Sequence, residues 1–122
     1  MNTEFVPRLA VQRRPSGAPP GVLVLEVTGD LDAANSQILR DALVGGIDRE
    51  GGVIVVDMTE VNYIDSVGLG TLVAGLKRAN EHGARLRFVV TNPQIQKVLN
   101  ITGLVRVLDV YETPDSAIAG TR

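Results

Sequence analysis

From Val22 onward the chain alternates short β-branched runs with longer segments of helical spacing, an order that few folds accept. Val22 to Thr28 (VLVLEVT) reads as a strand ended by Gly29. Asp32 is placed to cap a helix running to about Arg49, with Ile38, Leu39, Ala42, Leu43 and Ile47 on its inner face. Val53 to Val56 (VIVV) is an unbroken apolar run, the pattern of a strand buried on both sides, with Asp57 at its end. Met58 to Ile64 is then a connection. A second helix starts after Ser66, its inner stripe marked by Leu69, Leu72, Val73, Leu76 and Ala79 and its stop by Gly83. Leu86 to Val90 is the next strand. Asn92 caps and Pro93 opens a third helix, lined by Ile95, Val98 and Leu99 and stopped by Gly103. Val105 to Val110 reads as a last strand, and Thr113-Pro114 opens a short helix containing Ala117 and Ile118.

Such β-α alternation implies parallel strands joined by right-handed crossovers, with amphipathic helices covering the sheet. Ahead of it, Glu4 to Val11 contains Pro7, which cannot donate to a ladder, so this stretch is an edge strand at best. Arg13 to Gly21 (RRPSGAPPG) is a loop by its proline and glycine content, and residues 120–122 are a frayed tail. The 122 residues suit a single domain, 1–122, large enough to bury roughly two-thirds of its unfolded surface. The expected fold is α/β: a mixed, mostly parallel sheet of four to five strands packed against about four helices.

Composition narrows function by exclusion. No cysteine is present, which removes disulfides, thiolate metal sites and cysteine nucleophiles and suits a reducing cytoplasm. A net charge of −2 offers no basic excess for a phosphate backbone, and 3% aromatics supply few platforms for stacked bases, so nucleic acid is not an expected partner. No apolar run approaches the ~18 residues of a membrane span, and no membrane role is expected. The single histidine, His82, excludes multi-histidine metal sites. No cofactor is implied, because Gly68-Leu69-Gly70 lacks both the P-loop lysine and the third glycine of a dinucleotide fingerprint.

In open α/β sheets, sites gather at the carboxyl ends of the strands. Four polar turns belong there: Gly29 to Asp32, Asp57 to Thr59, Tyr63 to Ser66, and Thr91 to Pro93. Asp30, Asp32, Asp57 and Asp65 would meet on that rim, where a magnesium site is conceivable but caps and turns explain Asp30 and Asp32 as well. Ser66 stands at a loop-to-helix join. One reading makes it an N-cap. The other makes it an exposed hydroxyl at a positive helix end, suited to carry a phosphate. Gly68 and Gly70 are costly in a helix, and either bare the backbone to an approaching chain or let the helix pack tightly on the sheet. Nucleophilic catalysis by Ser66 needs a base within reach. His82 lies sixteen positions on, about 24 Å along a helix, and is better placed near that helix's C-terminus.

These residues carry a resemblance. Val53-Ile-Val-Val-Asp57, Val61 and Ile64-Asp-Ser-Val-Gly-Leu-Gly70 resemble the phosphorylation-site block of the STAS-domain family, specifically its free-standing bacterial anti-sigma factor antagonists. Gly29-Asp-Leu-Asp32 and Ile95 to Leu104 support it, and the resemblance runs from about Val22 to Ala119. It implies a STAS-like fold and a binding protein, not an enzyme. It implies that Ser66 is phosphorylated by an ATP-binding, histidine-kinase-like anti-sigma factor serine kinase. The unphosphorylated form would bind that kinase and free a sigma factor, and a serine phosphatase would reset the switch. The partner face so implied comprises Asp30 and Asp32 from one turn, then Asn62, Ile64, Asp65, Ser66, Val67, Gly68 and Leu69, and Asn92. Val67 stands where many relatives carry a second hydroxyl, which leaves Ser66 the sole acceptor of the motif. The alternative is a STAS module of a stress-signalling scaffold or transporter-associated complex, in which Ser66 is only a cap.

Overall fold

The computed structural model describes residues 8–14 and 17–122. Along the chain lie β1 (Leu9–Arg13), β2 (Val22–Leu31), α1 (Ser36–Glu50), β3 (Val53–Ile64), α2 (Ser66–Glu81), β4 (Arg85–Val89), α3 (Pro93–Thr102), a 3-10 turn at Leu104–Arg106, β5 (Asp109–Tyr111) and α4 (Pro114–Ala119). The five strands make one sheet in chain order, β1 antiparallel to β2 and every later pair parallel. This is the expected α/β architecture.

Sequential strand order has a geometric consequence. Each parallel strand adds on the same side of the last, so crossovers of one hand deliver α1, α2 and α3 to the same face. The main core shows it. Leu39, Leu43 and Ile47 of α1, Leu72 and Ala79 of α2, and Ile95 and Leu99 of α3 pack on Leu23, Ile54, Val56 and Phe88 of the sheet. Only α4 crosses to the other face, where Ala117 sits on Val24, Val55, Val89 and Tyr111. Arg87 fixes it there, its Nη1 donating to the Ala117 carbonyl at 2.9 Å.

The largest departure from expectation is β3. It runs twelve residues, Val53–Ile64, instead of stopping at Val56. Met58 to Ile64 is therefore strand, not connection, and Asp57 lies in mid-strand, not on the rim. Two register shifts against β2, between Glu26 and Thr28 and between Gly29 and Asp30, explain the misreading. Each shift puts an extra β3 residue opposite β2 and breaks the two-residue alternation. Met58, Val61 and Ile64 all face the core at a spacing of three, a pattern that does not read as a strand. β2 likewise continues through Gly29 to Leu31. Gly29 takes φ +110°, and an added Cβ would lie 2.0 Å from the Arg8 carbonyl oxygen, so glycine bends the strand without ending it.

Other boundaries shift for local reasons. β1 begins at Leu9 and reaches Arg13, while the earlier part of the Glu4–Val11 expectation lies outside the described residues. α1 starts at Ser36 with Asn35 at its cap, not Asp32. Ile38 and Val73, expected inside, are exposed, and Leu69 and Leu76 are half-buried against the core. The expected strand Val105–Val110 is a 3-10 turn followed by three strand residues, Asp109–Tyr111. At the tail, Arg122 pairs with Asp109, donates to the Val110 carbonyl and lies 4.4 Å from the Tyr111 ring centroid. The boundaries of the later helices hold at Asn92, Gly103 and Thr113 and at Gly83, which follows α2 at φ +70°, and Gly120 adds a stop that the sequence reading placed in the tail.

Candidate functional site

β4 pairs with β3 only as far as Asp57, whereas β2 and β3 stay paired to Leu31 and Ile64. The two long strands thus project beyond the sheet as an arm. Its tip carries the turn after β2 and the start of α2. Asn92 supports the arm where β4 has ended, its Nδ2 donating to the Val61 carbonyl at 3.3 Å while its Oδ1 caps α3 at Gln94.

At the tip, Asp65 and not Ser66 is the N-cap of α2. One carboxylate oxygen accepts from Gly68 N–H at 2.8 Å, and the other from Ala33 N–H at 2.9 Å. The Asp65 amide donates to the Leu31 carbonyl at 3.1 Å. The Gly68 N–H foremost, with further N–H groups from Ala33 and Val67, holds the Asp65 carboxyl below its usual range. The neighbouring turn is equally committed. Asp32 Oδ1 accepts from Ala34 N–H, Asn35 Oδ1 accepts from Asp32 N–H, and Asn35 Nδ2 donates to the Asp30 carbonyl. Asp30 itself faces Arg8 at 3.4 Å.

With the cap supplied by Asp65, Ser66 becomes the first helical residue. It is exposed, and its hydroxyl bonds to no other described residue. Val67 is 47% exposed beside it, and Tyr63, which the sequence reading did not single out, is 54% exposed at the end of β3. Asn62 is exposed, while Asp30, Asp32, Leu69 and Asn92 are half-buried. Ile64 and Gly68, expected on the contact face, are buried in the chain and lie beneath the exposed tip residues. A Cβ on Gly68 would lie 2.7 Å from the Leu31 carbonyl oxygen and 2.9 Å from the Ile64 side chain, so this glycine serves packing. Gly70 has open space around it and, one turn after Ser66, is the glycine that bares the helix to solvent.

The tip offers a free hydroxyl, and the groups around it are committed elsewhere. Both Asp65 oxygens hold backbone amides, and His82 is at the far end of α2, its Nδ1 2.9 Å from the Arg78 carbonyl oxygen. No described base is within reach of Ser66. The four aspartates do not converge either. Asp57 caps Thr59 N–H in mid-strand, and no group of three metal-ligating side chains exists among the described residues. No described helix is long and apolar enough to cross a membrane. A monotonic strand order also has no switch point, the place where open α/β sheets form a ligand crevice.

Comparison with known proteins agrees with this geometry. Residues 17–117 match the STAS domain. An anti-sigma-B factor antagonist of Listeria monocytogenes is 31% identical over 84 residues, covering 69% of this chain and 74% of that protein. Among solved structures, an anti-sigma factor antagonist from Mycobacterium paratuberculosis superposes with a TM-score of 0.80 at 23% identity, over 93% of this chain and 94% of its own. The antagonist SpoIIAA in its unphosphorylated form gives 0.73 at 20% identity, over 91% and 95%, and a phosphorylated form of SpoIIAA has also been solved with this fold. The chain belongs to the STAS-domain family, among its anti-sigma factor antagonists.

Proposed function

We propose that the unphosphorylated protein binds an anti-sigma factor serine kinase of the histidine-kinase-like, ATP-binding type through the tip of the β2–β3 arm, and so frees a sigma factor. Phosphorylation of Ser66 ends that binding, and a serine phosphatase restores it. The protein acts as a binding partner in the cytoplasm and turns over no substrate of its own. The observation that carries the reading is the unbonded, exposed hydroxyl of Ser66 on a helix start already capped by its neighbour.

The physics needs no refolding. A phosphate adds about −1.5 to −2 charges. Among the first-turn amides, Gly68 N–H is already held by Asp65, and a phosphate on exposed Ser66 faces outward, toward the partner. An unpaired charge forced into an interface costs roughly 2–5 kcal/mol, which weakens binding from about tens-fold to thousands-fold. Mass spectrometry after incubation with ATP and a histidine-kinase-like ATPase tests the acceptor. One phosphate on the peptide containing Ser66, absent from Ser66→Ala, is expected. Modification elsewhere with Ser66 untouched removes the reading.

A further inference from the structure

α1 and α2 start at the same rim and lie side by side, leaving between them a recess of about 250 Å³. Its floor is made of small or apolar residues, Ala74 and Gly75 with Leu43 and Val44. Gly75 is small because α1 sits on it: a Cβ there would lie 2.8 Å from Leu43 Cδ1. The walls are basic. Arg40 comes from α1, Lys77 and Arg78 from α2, and Glu81 is the one acid lining the recess. Arg78 is matched by Asp48, through Nε to Oδ1 at 3.0 Å and Nη2 to Oδ2 at 2.6 Å. Arg40 and Lys77 are exposed and form no ion pair among the described residues. Three cations against Glu81 and the Asp48 partner of Arg78 leave the hollow net positive in a chain of net charge −2.

Lys77 is also on the Ser66 side of α2. Eleven residues make three helical turns, so Ser66 and Lys77 share a line along the helix, about 16 Å apart. An interface of standard size covers roughly 800 Å² of each partner. A disc of that area centred on Ser66 has a radius of about 16 Å, enough to reach the recess. A partner seated there must meet Arg40 and Lys77 with acceptors, because covering unpaired cations opposes binding.

Building on the function proposed above, we infer that the α1–α2 recess is a second contact of the same interface, and that it receives an acidic segment of the anti-sigma factor kinase. Ser66 decides whether the partner stays, and the recess sets how fast and how selectively it arrives. Charges at an interface rim act mainly on association rate and its salt dependence.

Stopped-flow association with a purified histidine-kinase-like ATPase that phosphorylates Ser66 tests this. The neutral pair Arg40→Gln with Lys77→Gln and the reversed pair Arg40→Glu with Lys77→Glu both substitute exposed helical positions, and circular dichroism confirms their folds. The wild-type rate should fall as salt rises. The neutral pair should associate roughly tenfold more slowly at low salt, with a flatter salt dependence, and the reversed pair more slowly still. Wild-type rates and salt slopes in both pairs, with Ser66→Asp still blocking binding, overturn the recess and leave the switch standing. Ser66→Asp binding as tightly as the wild type overturns the switch, while the salt slopes still decide the recess.

Discussion

The Asp65 carboxylate spans from Gly68 N–H at 2.8 Å to Ala33 N–H at 2.9 Å, tying the start of α2 to the turn that follows β2. Ser66 is therefore anchored by the residue before it. Its hydroxyl is relieved of capping and is presented where two segments are joined, with the clamp made entirely by Asp65.

That clamp predicts a pH dependence. Asp65 has its folded pKa lowered below 3.8, first by the Gly68 N–H and then by Ala33 and Val67. Its contribution to stability is fully present above 3.8 and is lost as pH falls through the lower folded value. Asp48, lowered by its hydrogen bonds from Arg78, acts in the same direction and window. Equilibrium unfolding of wild type and Asp65→Asn between pH 5 and 2 separates them. The variant should be less stable at pH 5 and show a shallower acid loss. Parallel curves would show that Asp65 contributes nothing through its charge.

The two glycines of the motif should respond in opposite ways. Gly68→Ala places a methyl against the Leu31 carbonyl and should lose about 1–3 kcal/mol. Gly70→Ala meets nothing within 4 Å and should gain up to about 1 kcal/mol from helix propensity. Denaturant titration of both reads the difference. Equal effects would contradict the assignment of Gly68 to packing and Gly70 to the open face.

Arg87 is predicted to hold α4 on the sheet. Its Nη1 donates to the Ala117 and Ile118 carbonyls, and the guanidinium packs against Gly120. In Arg87→Ala, amide exchange should rise in α4 and stay near wild type in α1 to α3, which belong to the other core. Faster exchange throughout would show that the two faces unfold as one unit.

The order of elements was legible because each helix and most strands carry their own periodicity and stops. Asn92-Pro93 and Thr113-Pro114 mark helix starts by local chemistry, and Gly83 and Gly103 mark ends at φ +70° and +76°. The arm was not legible. Its two register shifts turn the inward positions Met58, Val61 and Ile64 into a spacing of three, and only pairing with β2 makes that a strand. Ser66 was found by motif, but whether it caps α2 was left open, and Asp65 was not read as the cap. Both residue types cap helices well, and only the Gly68 N–H choosing the Asp65 carboxylate decides between them. Ala33 and Asn35 went unnoticed because their roles are backbone and turn contacts across the tip.

The central claim is tested most directly by titrating one histidine-kinase-like anti-sigma factor against the protein with Ser66 free and with Ser66 phosphorylated, under the same salt, by calorimetry. The unphosphorylated form should bind and the phosphorylated form should bind about tens-fold to thousands-fold more weakly, with Ser66→Asp moving toward the latter and Ser66→Ala matching the former. Equal dissociation constants for the two forms would contradict it.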